Sequence, residues 1–448
     1  MFAEKYKVGD TIFAPASSVQ KSGIIVVRVS GPNTHKVPQL LGFKNLEIQK
    51  ASLVTIHHPK TNILIDKAIV TFFKAPHSFT GEDVLEISIH GSKIVLKLLC
   101  DALSYLENSR FAEAGEFSMR AFINNKMDLT QIEGLADLLD AETELQHTKA
   151  ISQMSGQLTD LYENWRKSLI RTESLIEAYL DFPDEDIPQH VLSTAQNNID
   201  NLKKDIKRHI EISKRGDRIH EGLLVTIIGP TNSGKSSLIN TLSKRDIAIV
   251  SNIEGTTRDT IETFLNITGY PIILADTAGL RNSTDTIEME GIKRSISKAT
   301  DADINIIMFD GTTDYKNEKQ TLEMLSNKSI LVFNKYDIMS EQEKAKIPPE
   351  AICISTKNNH NIEKLINTIS DKAQLFFEHT DEPIITRERY KQNLLQCLEY
   401  LEDFDFSKDL VLAAEDLRLA ASYLSRITGR IDVESILDEI FSSFCIGK

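Results

Sequence analysis

Cysteine is scarce in this chain of 448 residues. Cys100, Cys353, Cys397 and Cys445 lie far apart and form no C-x-x-C pair, which argues against both a zinc site and a disulfide framework. That usage fits a reducing compartment, and a cytoplasmic location is expected. No apolar run approaches the roughly 20 residues that span a bilayer, so no membrane association is expected. The N-terminal stretch from Met1 to Asp10 mixes charges of both signs and lacks the apolar region of a secretory signal. The terminal Cys445-Ile-Gly-Lys448 puts glycine and lysine where a prenylation motif needs other residues, so lipidation is not expected. A basic surplus is missing too. With 65 Asp and Glu against 51 Lys and Arg, the net charge is −14, and no global field gathers nucleic acid nonspecifically. Any RNA contact must rest on local patches or on shape.

What is present is an ordinary globular composition, 41% hydrophobic and 26% charged, over a length that predicts about three domains. Residues 1–120 read as an α+β domain. Short β-branched runs at Thr11-Ile-Phe-Ala, Gly23-Ile-Ile-Val-Val-Arg28-Val, Leu53-Val-Thr-Ile, Ala68-Ile-Val-Thr-Phe-Phe and Val84-Leu-Glu-Ile-Ser-Ile predict strands, with a helix from Ile94 to Leu106. Residues 121–220 switch to helical periodicity, interrupted by the two-proline stretch Asp181-Phe-Pro-Asp-Glu-Asp-Ile-Pro188, and helical grammar returns over 378–448. Between these blocks, residues 221–377 alternate apolar strands with helical segments, which predicts a parallel sheet with helices on both faces. The expected architecture is therefore an all-α helical domain that is discontinuous in sequence, with an α/β P-loop domain inserted into it.

The inserted segment carries the chemistry. The strand Leu223-Leu-Val-Thr-Ile-Ile228 runs into Gly229-Pro-Thr-Asn-Ser-Gly-Lys-Ser236 and then into a helix, the setting that a phosphate-binding G-x-x-x-x-G-K-[ST] loop requires. Backbone N–H groups of Asn232, Ser233 and Gly234, the helix start at Ser236 and Ser237, and the Lys235 ammonium can surround phosphates, while the Ser236 hydroxyl suits Mg²⁺. Roughly a hundred residues later, the strand Ser329-Ile-Leu-Val-Phe leads to Asn334-Lys335-Tyr-Asp337. The Asp337 carboxylate can accept two hydrogen bonds from guanine's Watson–Crick edge, where adenine offers no such donor pair. GTP is therefore expected rather than ATP. Between them lie Gly255-Thr-Thr257-Arg-Asp and Asp276-Thr277-Ala278-Gly279, with Thr257 and Asp276 placed for the ion and Gly279 for the γ-phosphate. Ser355-Thr356-Lys357, after another strand, would back up guanine binding through main-chain N–H groups. Leu280 stands where Ras-like GTPases carry a water-orienting glutamine. Arg281, Asp285, Glu288 and Glu290 are the polar candidates for that task.

These five motifs, the Asp181-Phe-Pro-Asp-Glu-Asp stretch, the terminal Phe444-Cys-Ile-Gly-Lys448, Phe79-Thr-Gly-Glu-Asp-Val-Leu-Glu86 and Phe117-Ser-Met-Arg-Ala-Phe-Ile-Asn-Asn-Lys126 together resemble the TrmE or MnmE family of tRNA-modification GTPases. The resemblance extends over essentially the whole chain. It implies a homodimer, formed through the N-terminal domain, that works with the FAD protein MnmG in a heterotetramer or larger complex. The pair places an aminomethyl or carboxymethylaminomethyl group on C5 of the tRNA wobble uridine. It implies K⁺ beside GTP and Mg²⁺, with Asn232 and the carbonyls of Ser251, Ile253 and Thr256 as ligands; Asn252, Glu254 and Gly255 belong to the same nucleotide-binding segment. It singles out Glu288 as the residue that orients water. It assigns Arg28, Glu86, Lys126 and Lys448 to 5-formyltetrahydrofolate or another tetrahydrofolate one-carbon derivative, and gives Cys445 a functional role. As residue types alone, the first three read as members of structural ion pairs. A GTP-switched RNA or ribosome assembly factor is the alternative reading, because such proteins share the GTPase motifs.

Overall fold

The computed structural model describes residues 9–44, 46–181, 189–245, 247, 262–276, 300–378, 383–405, 410–431, 437, 440–442, 444, 446 and 447. The chain divides into two units. The first comprises Met1–Ala136, Met154–Arg166 and Ala421–Lys448, and the second Asp137–Gln153 and Lys167–Ala420.

In the first unit, β1 (Thr11–Pro15), β2 (Ser22–Ser30), β3 (Ser52–His57), β4 (Leu64–Phe73), β5 (Val84–Gly91) and β6 (Ser109–Phe111) form one sheet in the order β3-β4-β5-β2-β1-β6. Neighbours are antiparallel except β6, which runs parallel to β1. Period-two alternation decides the faces. Ile25, Val27 and Val29 of β2 and Leu85, Ile87 and Ile89 of β5 are buried in one core, with Leu99, Ala102 and Leu103 of helix α1 (Lys93–Leu103). Arg28 and Glu86, out of phase with those residues, face each other across the two strands. Helices α2 (Glu116–Ile123) and α3 (Leu129–Asp140) follow. Met119, Leu129 and Ile132 share a second core with Leu437, Phe441 and Phe444 from the far end of the sequence, and Ile446 bridges Ala114.

A partly buried ion network ties β6 to α2. Arg110 binds Asp10 at 2.6 Å and Glu116 at 2.6 Å, and Arg120 binds Asp10 at 2.7 Å and Glu116 at 3.0 Å. Burial opposes charge on Arg120, but the carboxylates of Glu82 and Glu116 outweigh it and raise the affinity of Arg120 for its proton.

The second unit contains the inserted domain. Helix α4 (Glu144–Met154), most of α5 (Gln157–Asp181), α6 (Gln189–Glu221), α9 (Glu388–Asp403) and the start of α10 (Leu410–Thr428) supply helical structure, and α9 packs along α6. Strands β7 (Leu223–Ile228), β8 (Glu262–Ile267), β9 (Tyr270–Asp276), β10 (Ile304–Asp310), β11 (Ser329–Asn334) and β12 (Ile352–Cys353) form a sheet in the order β12-β11-β10-β7-β9-β8. Alternation feeds two cores. Ile306 and Met308 join one face with α7 (Lys235–Ser243) and α8 (Ile362–Phe377), while Ile307 and Phe309 join the other with Phe333.

One expectation is corrected: the sheet is mixed, because β8 is antiparallel to β9. The reason is local. Thr268 and Gly269 both have positive φ (51° and 91°), as a two-residue hairpin turn requires, and Asn266 Oδ1 accepts from Gly269 N at 2.9 Å. Threonine at such a position is unusual enough that the Thr268-Gly269 pair does not announce a hairpin in the sequence.

His209 lies in α6 with 6% exposure, and burial pulls its pKa down to about 4. The folded chain therefore favours neutral imidazole, whereas the unfolded chain titrates near the ordinary value. Stability contributed by this group is complete above pH 6.5 and is lost as pH falls toward 4, by about 3 kcal/mol at the low end. Denaturant melts between pH 7 and 4 should show that loss, and His209→Gln should flatten it.

Candidate functional site

Strand β7 lies between β10 and β9, and β7, β9, β10, β11 and β12 are mutually parallel. Their carboxyl ends therefore open at one edge, with connections leaving in both directions from β7. That is where ligands bind in open α/β sheets. The residues after β7, β11 and β12 are the phosphate-loop, Asn334–Asp337 and Ser355–Lys357 motifs. Asp276 ends β9 with its backbone beside Ile227.

The three loops are joined by one side chain. Asn334, 2% exposed, donates from Nδ2 to the Ser233 carbonyl at 3.0 Å and accepts at Oδ1 from Thr356 N at 3.1 Å. Gly234, with φ 100°, stands at the point of closest approach, where a Cβ would meet Asn334 Nδ2 at 2.2 Å. Only glycine combines that backbone with that clearance. The loop then turns into α7, whose N-terminus presents backbone N–H groups. The Lys235 ammonium lies at 2.7 Å from the Gly229 carbonyl and 2.8 Å from that of Pro230.

On the base side, Ser355 Oγ donates to Asp337 Oδ1 at 2.7 Å, and this bond holds the carboxyl below its ordinary pKa. An ionised Asp337 is what a pair of guanine donors needs. Tyr336 is also engaged. Its ring stacks on His360 with 4.8 Å between centroids, and its N–H donates to Ile354 O at 3.0 Å. Lys335 Nζ pairs with Asp310, an acid that sequence reasoning passed over. Its role follows from the pairing of β10 with β11, which places it directly across from Asn334.

Ser236 and Asn232 are exposed, and neither side chain makes a hydrogen bond among the described residues. A hydroxyl and an amide oxygen are hard donors of the kind that Mg²⁺ and K⁺ take. Ser251, Asn252, Ile253, Glu254, Gly255, Thr256, Thr257, Thr277, Ala278, Gly279, Arg281, Asp285, Glu288, Glu290, Cys445 and Lys448 lie outside the described residues, as does most of the two-proline stretch.

Comparison with known proteins decides the family. The description "GTP-binding protein TrmE N-terminus" matches residues 11–126, and "MnmE helical domain" matches residues 129–445. The tRNA modification GTPase MnmE of Rickettsia bellii is 48% identical over 98% of this chain and 100% of its own length. The chain belongs to the MnmE family of tRNA modification GTPases. MnmE of Rickettsia typhi is 47% identical over the same shares. Among solved structures, Era of Aquifex aeolicus bound to GDP and aluminium fluoride is 25% identical over 40% of this chain and 66% of its own, with a TM-score of 0.27. As an MnmE-family GTPase, the protein binds and hydrolyses GTP.

The family's N-terminal half offers a second cluster. Arg28 donates to Glu86 Oε1 from Nε at 3.1 Å and Nη2 at 2.9 Å, so the two form an ion pair across β2 and β5. The guanidinium lies over the rings of Phe79 (5.1 Å) and Phe117 (5.7 Å). Lys126 Nζ donates to the Pro76 carbonyl at 3.0 Å, next to the loop that carries Phe79. A carboxylate, two cations and two aromatic rings on one unit can hold a flat heterocycle with an anionic tail. Burial pushes the Cys100 thiol up to about 11 and Cys397 to about 12, so both stay protonated at neutral pH.

Asn334→Ala removes the amide's bonds to Ser233 and to Thr356, while Ser355 and Asp337 still join the two base loops. GTP affinity should fall roughly 100-fold, the equivalent of about 2.7 kcal/mol, in a titration with a fluorescent GTP analogue. An affinity within threefold of wild type, with an unchanged circular dichroism spectrum, would show that the loops hold their places without Asn334.

Proposed function

We propose that GTP is bound with its phosphates on residues 232–237 and its base at Asn334, Lys335, Asp337, Ser355, Thr356 and Lys357. The linkage of these loops through Asn334 is the observation that supports this reading. Mg²⁺ is held by Ser236 and Thr257, with Asp276 behind it. K⁺ is held by Asn232 and the carbonyls of Ser251, Ile253 and Thr256. The two cations supply positive charge that offsets the charge developing on the transferred phosphoryl group. Lys235 neutralises the β- and γ-phosphates, and Glu288 orients the attacking water in place of the glutamine that Leu280 cannot replace.

In this reading the chain divides into an N-terminal domain over residues 1–120, helical segments over 121–220 and 378–448, and a G domain over 221–377. The N-terminal domain forms the homodimer contact. Its Arg28, Glu86 and Lys126, with Lys448, take a tetrahydrofolate one-carbon derivative such as 5-formyltetrahydrofolate. The opposite charges of Arg28 and Glu86 suit a pterin edge and a glutamate tail, and Cys445 acts beside them. With MnmG, the protein modifies C5 of the tRNA wobble uridine in the cytoplasm.

Mass spectrometry of wobble nucleosides tests the whole. Deleting the protein in the presence of its partner should abolish the C5 substituent; an intact modification together with faulty ribosome assembly would favour the assembly-factor reading instead. Two narrower outcomes are expected of purified protein. GTP turnover should fall at least tenfold when Na⁺ replaces K⁺, and equal rates would refute the Asn232 assignment. Glu288→Ala should bind GTP normally yet hydrolyse it about a hundredfold more slowly, and near-normal turnover excludes its role.

A further inference from the structure

We propose that Asp310 is a positioning residue for the guanine base, holding through Lys335 the backbone turn from which Asp337 is presented. The proposal rests on the base-site reading above. Asp310 ends β10 directly across from Asn334, the end of β11. Lys335, the next residue, sits in the left-handed region at φ 66°, ψ 30°. That conformation costs a lysine about 1–2 kcal/mol, so something must hold it. The Lys335 ammonium reaches Oδ2 of Asp310, while Oδ1 accepts from Thr312 N at 3.0 Å and Thr312 Oγ1 at 2.7 Å.

The anchor is itself fixed. Gly311 N donates to the Asn334 carbonyl at 2.9 Å, and Thr313 Oγ1 donates to the Asp310 carbonyl at 3.0 Å. The Asp310 side chain is 12% exposed, so this is no loose surface pair. Burial alone would raise the Asp310 pKa, but the hydrogen bonds from Lys335 and Thr312 outweigh it and keep the carboxylate ionised. Two residues beyond the turn, Asp337 is aligned by Ser355. The pair at 310 and 335 and the bond at 337 and 355 thus hold the two ends of the turn.

The consequence is a change in base selectivity as well as in affinity. Guanine offers Asp337 two donors, whereas hypoxanthine, which lacks the exocyclic amine, offers one. A misaimed carboxylate therefore costs GTP more than ITP. Competition titrations on the full chain compare both nucleotides in wild type, Asp310→Asn, Lys335→Met and the double variant.

Asp310→Asn keeps the shape and removes the charge. It should weaken GTP about tenfold and ITP threefold or less, and the double variant should bind no more weakly than Lys335→Met alone. Equal losses for the two nucleotides, no loss for either, or full additivity overturns the proposal. If Asp310→Asn does not fold, Lys335→Met decides, since it must narrow the preference for GTP over ITP too; an unchanged ratio overturns the proposal. Asp337→Asn tests the underlying reading on its own. A gain in XTP affinity shows that residue 337 reads the base, whereas no gain overturns that reading and the proposal with it.

Discussion

One buried amide, that of Asn334, ties the candidate phosphate loop to the candidate base loops. It spans 101 residues of sequence to reach Ser233 and 22 to reach Thr356. Loops at a sheet edge are otherwise free to move separately, since few apolar contacts fix them. A buried amide that lost its partners would cost about 1–3 kcal/mol for each group left unpaired, so the phosphate loop and the base loops keep one relative geometry. The parallel strands make this possible. They deliver three chain segments to the same edge, and Gly234 removes the side chain that would hold Asn334 away.

Charge explains why such local construction is needed. Residues 1–126 contain 15 Lys and Arg against 11 Asp and Glu, a surplus of +4, so the remainder of the chain carries −18 of the total −14. GTP is a polyanion, and the long-range field of the remainder, which carries the GTPase motifs, is repulsive. In the proposed site, affinity would come from short-range groups such as the backbone N–H dipoles at the start of α7 and the Lys235 ammonium. These act over a few ångströms, within which screening by salt is weak. The same distribution leaves the N-terminal domain as the part of the chain with a cationic surplus.

The phosphate-loop and guanine motifs stand out in the sequence because they are short strings in fixed order, each after an apolar strand, and the fold brings them to one sheet edge. That the inserted segment alternates strands with helices was equally readable, since apolar β-branched runs recur between helical stretches over residues 221–377. The direction of β8 was not, because it depends on one threonine and one glycine accepting positive φ. Asp310 was missed for another reason. It belongs to no motif, and its meaning comes from a pairing between strands that the linear sequence does not display. In the N-terminal domain, the ion pair between Arg28 and Glu86 follows from a strand register that composition does not reveal.

The core that joins distant parts of the chain shows why an inserted GTPase domain is tolerable. Met119, Leu129 and Ile132 pack with Leu437, Phe441 and Phe444, so the first unit closes a loop of some three hundred residues. Closure entropy grows only with the logarithm of loop length, and each doubling costs about 0.6 kcal/mol. Burying a single large apolar side chain contributes roughly 1.5–3 kcal/mol. Two phenylalanines on that core therefore outweigh the added cost of threading a folded domain between α6 and α9. The inserted domain folds around its own apolar core, with Ile219 from α6 and Ile384 from the return segment at its margin. A discontinuous helical domain is thus favourable on ordinary packing energies, and it leaves the nucleotide site on a domain whose entry and exit segments share one core.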